Sequence, residues 1–185
     1  MAKEIIPESI SIQKIIEGLK SGHYAIPVFQ REFVWDINNI KSLWDSIYRH
    51  YPIGSFLIWE TDEKLPRHRK LLDIELKSTE RGTFNYILDG QQRITSLISS
   101  IMGAKLKNRN MTIYFDLEKA FEDSKKDDLS SDSPFIDEKE LQTKPLTSKN
   151  LFIPVSKIIL FDVDYYTLLI ERNKKELAKF YHEVS

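Results

Sequence analysis

Polar side chains crowd around one glycine in the stretch Asp89-Gly90-Gln91-Gln92-Arg93, between two apolar segments. Alternation over residues 83–88 predicts a strand before it, and a glycine allows the chain to turn there. Apolar residues after it recur at helical spacing, namely Ile94, Leu97, Ile98 and Ile101. Such a helix directs free N–H groups and its positive dipole end towards the two amides and the guanidinium. A phosphate-like anion is the ligand that this arrangement would bind.

A second interpretation of the same stretch needs no ligand. Asp89 would cap the helix, and Arg93 would pair with a surface carboxylate. Both interpretations place Arg93 at a helix start, where we expect it to be exposed. Replacement of Arg93 by alanine would then leave the fold intact.

A second polar pair, Gln30-Arg31, lies within the segment Ile26-Pro27-Val28-Phe29-Gln30-Arg31-Glu32-Phe33-Val34-Trp35. We expect its aromatic residues, Phe29, Phe33 and Trp35, to anchor an otherwise mobile loop. Gln30 and Arg31 would then be held in fixed directions as a second wall of a pocket. The alternative is a packed connecting loop with Gln30 and Arg31 in solvent.

The remaining patterns predict the elements that position these two segments. We expect a helix over 12–19 ended by Gly22, a helix over 37–51 capped by Asp36, a central strand over 55–60, a hairpin made of 72–76 and 83–88, a strand over 111–116, an extended piece over 151–155 and a closing helix over 165–181. Trp44 and the other apolar residues of its helix are assigned to the core.

Composition excludes several classes of function. Hydrophobic residues are 41% and charged residues 30% of the chain, which is typical of a folded domain. The net charge is −1, so binding of nucleic acid would depend on a local patch. The absence of cysteine excludes disulfides and thiolate chemistry and fits a cytoplasmic location. Four histidines are scattered without metal-ligand spacing: His23, His50, His68 and His182.

We expect one domain over residues 1–185, with a partly ordered polar insertion at about 118–150. No apolar run approaches the length of a membrane span. The closing helix is still amphipathic at the last residue, which favours a fragment of a longer protein.

Two motifs together, "IPVFQREFVW" and "ILDGQQRITSL", with "SIYRHYPIGSFLIWE" between them, carry a family resemblance. The sequence resembles the N-terminal domain of GmrSD-type restriction endonucleases, a bacterial family of ParB/sulfiredoxin-like domains, over roughly Ile5 to Phe161. The resemblance implies an α+β fold, a small mixed sheet with surrounding helices, here followed by a C-terminal helical stub. The sulfiredoxin branch uses a cysteine that this chain lacks, whereas the ParB branch binds a nucleotide triphosphate at the equivalent turn.

The resemblance implies that the DGQQR motif binds and hydrolyses an NTP with Mg²⁺ in an anti-phage defence protein that acts on foreign, often modified, DNA. By that resemblance the catalytic residues are Asp89, Gln91, Gln92 and Arg93, and the nucleotide-binding residues are Gln30, Arg31, Gly90 and Arg93. Either glutamine could orient a water, and Asp89 could hold Mg²⁺, act as a base or brace the turn. No metal site made by protein ligands alone is expected.

The implied partners are a nucleotide, double-stranded DNA, and a C-terminal nuclease or helical domain of the full-length protein, with no membrane. A His-Asn-His nuclease motif is missing, so we do not expect this chain alone to cleave DNA. The alternative function is a non-catalytic clamp or sensor of the ParB type that binds DNA or a nucleotide. Arg67, Arg69 and Lys70 would then contact backbone phosphates. A structural adaptor, whose polar turn only braces the sheet, is a third possibility.

Overall fold

The computed structural model describes residues 5–77, 82–126, 132–145, 151–172 and 174–185, and it confirms the α+β class. The helices in these ranges are α1 (Ile12–Ser21), α2 (Ile37–Tyr48), α3 (Gln91–Met102), α4 (Leu117–Asp123), α5 (Glu138–Gln142), α6 (Val155–Ile159), α7 (Val163–Glu171) and α8 (Lys175–Val184). The strands are β1 (Tyr24–Ala25), β2 (Leu57–Thr61), β3 (Lys70–Leu71), β4 (Ile74–Glu75), β5 (Phe84–Asp89), β6 (Lys105–Leu106), β7 (Arg109–Asn110), β8 (Ile113–Asp116), β9 (Phe135–Asp137) and β10 (Phe152–Pro154).

The first sheet is small and mixed, with the strand order β1-β5-β2. Strand β5 pairs in parallel with β1 and antiparallel with β2, so β5 is its central strand. The prediction that 55–60 forms a central strand is wrong, because β2 lies at an edge. Leu57 and Trp59 on β2 are accordingly 46% and 36% exposed. An apolar strand at a half-covered edge has the same composition as a buried one, so composition did not distinguish them.

The hairpin predicted from 72–76 and 83–88 is also wrong. Strand β4 pairs with β3 instead, and β5 pairs with strands from other parts of the chain. Alternation identified β5 as a strand, whereas only Ile74 and Glu75 of the segment 72–76 lie in one. Alternation also carries no information about which strands pair across a distance.

The second sheet is antiparallel, with the order β10-β8-β9. Strand β9 comes from the segment predicted as a polar insertion, and its Phe135 is 6% exposed. The Phe135 ring packs against the rings of Phe115 and Trp44, at centroid distances of 5.2 and 6.3 Å. Residues 127–131 and 146–150 of that segment lie outside the described residues. The single domain with an insertion stays a prediction.

Helix α3 lies between the two main groups of buried apolar side chains. Leu97 belongs to the larger group, and Ile94 and Ile98 belong to the second. Between them the hydroxyl of Ser100 accepts a hydrogen bond from Trp44 Nε1 at 2.9 Å, which confirms Trp44 as a core residue. Because both faces of α3 are packed, its first turn is held in a fixed position.

The chain closes with α7 and α8, two helices in place of the single helix predicted over 165–181. Helix α8 returns against the preceding segment through Tyr181. Its hydroxyl donates to the carbonyl oxygen of Lys157 at 2.7 Å and accepts from the Asp162 N–H at 2.9 Å. Within the described ranges, no helix combines the length and apolarity that crossing a bilayer requires.

Candidate functional site

The turn from β5 into α3 requires glycine. Gly90 has a φ of 89°, a left-handed conformation that other residues adopt at a cost. A Cβ atom at this position would lie 2.3 Å from Cδ1 of Phe56. Gly90 is also the N-cap residue and gives α3 no side-chain hydrogen bond. The part of the alternative interpretation in which Asp89 caps the helix is therefore wrong. Its other part is confirmed, because Arg93 pairs with an exposed carboxylate: that of Asp89, which lies at 3.4 Å and is 71% exposed.

The two polar segments meet at this turn. Gln30 Nε2 donates to the carbonyl oxygen of Leu88 at 3.0 Å, across 58 residues of sequence. Gln92 Oε1 accepts from the Val34 N–H at 2.9 Å, and Gln92 Nε2 donates to the carbonyl oxygen of Glu32 at 3.0 Å. Residues 30–34 are thus attached to the end of β5 and to the first turn of α3.

The two neighbouring glutamines have different surroundings. Each is 7% exposed, but the amide of Gln92 uses both its oxygen and its nitrogen in the bonds to residues 32 and 34. The Oε1 atom of Gln91 is buried without a hydrogen-bond partner in the part of the chain that the structure describes. Gln92 is therefore a structural connection between the motifs, whereas Gln91 retains an unused acceptor.

The Arg93 guanidinium contacts the loop that follows α2. It donates to the carbonyl oxygens of Ile53 and Ser55, lies 3.4 Å from Oδ2 of Asp89, and stacks 5.1 Å from the centre of the Phe56 ring. The expected exposure of Arg93 is wrong, because its side chain is only 17% exposed.

The approach of Arg93 to this loop depends on Gly54. Its φ of 82° allows the turn, and a Cβ there would lie 2.5 Å from Nη1 of Arg93. Arg93 thus fixes the loop after α2 against the start of α3. Its assignment as a nucleotide ligand and catalytic residue stays a prediction.

Arg31 is exposed and lies between Gln30 and Glu32, the two residues of the loop that bond to Leu88 and Gln92. Its backbone is therefore held beside the start of α3. Glu32 beside Arg31 is also exposed, and Asp89, at the end of β5, presents a further exposed charge in this region.

Two of the three predicted aromatic anchors are confirmed. Phe33 and Trp35 are half-buried and pack against the larger core group. Phe29 is 65% exposed, so its prediction as an anchor is wrong. The loop is held instead by the Gln30 and Gln92 hydrogen bonds, which the aromatic spacing did not indicate.

The basic run at 67–70 borders the first motif. Pro27 and Arg67 form an antiparallel bridge, and the His68 N–H donates to the carbonyl oxygen of Ile26 at 2.9 Å. Within the run, Lys70 pairs with Glu75 at 3.3 Å and Arg69 is exposed. Other residues of the run thus form hydrogen bonds or an ion pair within the fold, whereas Arg69 is exposed to solvent beside the first motif.

The described residues contain no group of three His, Asp or Glu side chains arranged to hold a metal ion. A surface cavity of about 480 Å³ lies between α1 and β1, and none of the predicted site residues line it. Thr95, whose Oγ1 is also buried without a partner within the described ranges, was missed by sequence reasoning. Its position four residues after Gln91, on the same helix face, was the available signal.

Fold and site together define an α+β domain in which two polar segments, far apart in sequence, are joined at a helix start that carries no side-chain cap. Residues 12–183 match the family described as the N-terminal domain of the GmrSD restriction endonuclease. The chain belongs to this family, which confirms the resemblance.

A stretch of 129 residues is 31% identical to the uncharacterised protein MJ0686 of Methanocaldococcus jannaschii. It covers 65% of this chain and 22% of that protein, so the chain spans about a fifth of the length of this relative.

Proposed function

We propose that this chain is the nucleotide-binding, NTP-hydrolysing module of a GmrSD-like anti-phage defence protein, and that it regulates cleavage of foreign modified DNA. The observation that carries the proposal is the junction of the two motifs at the start of α3. The bonds Gln30–Leu88 and Gln92–Glu32 bring the segment that contains Arg31 to the uncapped first turn of that helix.

The ligand chemistry follows from these groups. The free N–H groups of the first turn and the helix dipole favour a phosphate, and Arg31 adds a positive charge with a planar set of donors. Asp89 is the exposed carboxylate beside them, and its oxygens suit Mg²⁺ shared with phosphate oxygens. Bound Mg²⁺ would neutralise phosphate charge during transfer to water.

Three predicted site residues have a structural role in this proposal and do not contact the nucleotide: Gln30, Gln92 and Arg93. Their side chains engage backbone carbonyls or a backbone N–H of other segments. They hold residues 30–34 and 53–55 around the helix start. The ligand-facing role therefore falls to Arg31, Asp89 and the backbone of α3.

The family includes restriction endonucleases, and the sequence lacks a His-Asn-His motif. We propose that DNA cleavage is carried out by a nuclease domain of the full-length protein in the cytoplasm. The nucleotide state of the present domain would control that nuclease.

The test measures nucleotide binding and phosphate release by the purified protein with each NTP and Mg²⁺. Arg31→Ala should weaken binding at least tenfold, and Asp89→Ala should reduce phosphate release. Lys179→Ala and Asp164→Ala are matched controls, since both residues are exposed and lie on α8 and α7. Wild-type protein that neither binds nor hydrolyses any NTP would refute the proposal.

A non-catalytic clamp is the second candidate, and the position of Arg69 favours it. The Pro27–Arg67 bridge places the basic run beside the first motif, which could extend a phosphate contact along DNA. A clamp would show nucleotide-dependent thermal stabilisation without phosphate release. Its binding of double-stranded DNA would weaken with salt, and Arg69→Ala would reduce both the affinity and the salt dependence.

A further inference from the structure

Two short hairpins, β3–β4 and β6–β7, contact each other near the C-terminal end of α3. Strand β6 begins three residues after that helix ends, and the Lys105 N–H donates to Oδ1 of Asp73, in the turn between β3 and β4, at 2.9 Å. Leu71 and Ile74 of the first hairpin belong to the same group of buried side chains as Ala104. The two hairpins therefore form one surface that is fixed to the fold from below.

Positive charge is concentrated in this surface. Residues 64–77 and 105–110 together contain eight Lys or Arg and only two carboxylates, a net charge of +6, whereas the whole chain carries −1. The carboxylate of Asp73 accepts a backbone N–H, and Glu75 forms an exposed pair with Lys70 at 3.3 Å, which contributes little to stability. Four side chains are exposed and form no ion pair with another described residue: Arg69, Lys77, Lys105 and Lys107.

The tip of the β6–β7 hairpin carries one of these cations in an uncommon conformation. Leu106 pairs with Arg109, which leaves Lys107 and Asn108 as a two-residue turn. Both have positive φ, 49° and 63°, a conformation that residues other than glycine and asparagine adopt at a cost. Lys107 is exposed, so burial does not explain a lysine at this position. Strained residues of this kind are often functional.

The composition of the surface indicates which polyanion it fits. Neither of the two ranges contains Phe, Tyr or Trp, and their leucines and isoleucine are buried or half-buried. The centre of a protein–protein interface is usually rich in aromatic side chains, and single-stranded nucleic acids stack their bases on such side chains. Exposed cations without aromatic neighbours fit the phosphate backbone of a duplex, which carries a charge about every 1.7 Å of its axis.

We propose that the β3–β4 and β6–β7 hairpins bind the phosphate backbone of double-stranded DNA. The contacts come from four side chains: Arg69, Lys77, Lys105 and Lys107. This inference rests on the proposed function for the choice of DNA, since the family is that of a restriction endonuclease. The Pro27–Arg67 bridge joins the basic run to the first motif, so the surface extends from that motif to the end of α3.

The experiment measures the affinity of the purified protein for a labelled DNA duplex of about 25 base pairs at several salt concentrations. Each phosphate contact contributes about −0.9 to the slope of log affinity against log salt. The double variant Lys105→Ala/Lys107→Ala should make the slope less steep by about 2 and weaken binding at least tenfold at about 0.15 M salt. The matched control is Lys175→Ala/Lys179→Ala, which removes the same charge from exposed positions of α8 and should change the affinity less than twofold.

Lys107 allows the charge to be separated from the shape of the turn. Lys107→Ala and Lys107→Gly both remove the ammonium, but only glycine adopts the left-handed conformation freely. Both should weaken DNA binding to the same extent, and Lys107→Gly should melt within about 2 °C of wild type. A loss of affinity with Lys107→Ala that Lys107→Gly does not share would overturn the phosphate contact, because neither variant has the charge.

Competition identifies the kind of polyanion. Unlabelled duplex DNA should displace the labelled duplex at lower concentration than duplex RNA, single-stranded DNA or vesicles of phosphatidylserine and phosphatidylcholine. Stronger competition by any of these three would overturn double-stranded DNA as the partner of this surface.

The remaining outcomes separate this inference from the proposed function. The Lys105→Ala/Lys107→Ala variant should bind and hydrolyse NTP within about twofold of wild type, because the hairpins lie away from the start of α3. A double variant that binds DNA as tightly as its α8 control would overturn the inference and leave nucleotide hydrolysis standing. Wild-type protein that binds DNA through the hairpins but neither binds nor hydrolyses NTP would refute the nucleotide-dependent function and support this surface. Wild-type protein that does not bind the duplex would refute the inference.

Discussion

Arg93 Nη2 donates a hydrogen bond to the backbone carbonyl oxygen of Ser55 at 2.8 Å, although the two residues are 38 positions apart. Nη1 of the same guanidinium donates to the carbonyl oxygen of Ile53. Because both acceptors are backbone atoms, the contact requires the arginine and the glycine turn at Gly54, but it does not depend on which side chains occupy positions 53 and 55. An arginine that bridges two segments in this way stabilises the fold around the site.

Arg93→Ala should therefore destabilise the protein. Loss of two charge-assisted hydrogen bonds amounts to about 2–4 kcal/mol, which lowers the melting temperature by roughly 4–16 °C in a domain of this size. Arg93→Lys should give an intermediate loss, since one ammonium cannot reproduce the planar fork. Thermal unfolding measures both, with the exposed Arg31→Ala as the control expected to stay within about 1 °C. An unchanged melting temperature for Arg93→Ala would contradict this structural role.

Gly90→Ala should be more damaging than the same change at Gly82. Both glycines have positive φ, 89° and 104°, so both substitutions strain the backbone by about 1–2 kcal/mol. At Gly90 the new Cβ would meet another side chain, 2.3 Å from Cδ1 of Phe56, whereas at Gly82 no atom of the described residues lies within 4 Å. We expect Gly90→Ala to lower the melting temperature by at least about 4 °C more than Gly82→Ala.

A second change tests the cause of that difference. Phe56→Leu in the Gly90→Ala background removes the ring that the new methyl group meets, and it should recover part of the loss. Equal losses at the two glycines would show that Phe56 does not restrict this turn.

Local patterns predicted the central unit of the fold correctly. The strand before Gly90, the turn and the helix after it follow from alternation, glycine and helical spacing, which act over a few residues. Pairing partners are not local information, and the partners of β5 were therefore predicted wrongly. The same limit explains why Arg93 was wrongly expected to be exposed: it donates hydrogen bonds to backbone carbonyls, which no sequence pattern indicates.

The first motif shows a different limit. Phe29, Phe33 and Trp35 have the same chemical character, so sequence alone treats them as equivalent anchors. Only the packing of the finished fold covers Phe33 and Trp35 and leaves Phe29 in solvent. The Gln30 and Gln92 hydrogen bonds join the two polar segments, and a pocket with Gln30 and Arg31 as its second wall stays a prediction.

Trp35→Ala and Phe29→Ala form a matched pair within this loop. Trp35 is half-buried against the larger core group, so its truncation should cost about 2–4 kcal/mol, or roughly 4–16 °C in melting temperature. Phe29 is 65% exposed, and its truncation should change the melting temperature by no more than about 2 °C. A larger loss for Phe29→Ala than for Trp35→Ala would show that the loop is anchored from the opposite side.

Asp137 gives the protein a contribution to stability that depends on pH. Burial alone would raise the pKa of its carboxyl group, but the Glu140 N–H and the charges of Lys41 and Arg109 outweigh burial and hold the pKa below its usual value of 3.8. Arg109 Nη2 lies 2.7 Å from Oδ2. Since the folded state lowers the pKa, the stabilisation is complete above the unfolded value and is lost as the pH falls below about 3.8.

Asp137→Asn removes the charge and keeps an oxygen acceptor. The variant should melt about 3 °C or more below wild type at pH 7, and the difference should shrink as the pH falls from about 4 towards 3. Thermal unfolding across this range measures the effect, with Asp164→Asn, an exposed residue of α7, as the control. A difference between wild type and Asp137→Asn that stays constant down to pH 3 would show that the ionised carboxylate contributes nothing, because only a titrating group can make the difference depend on pH.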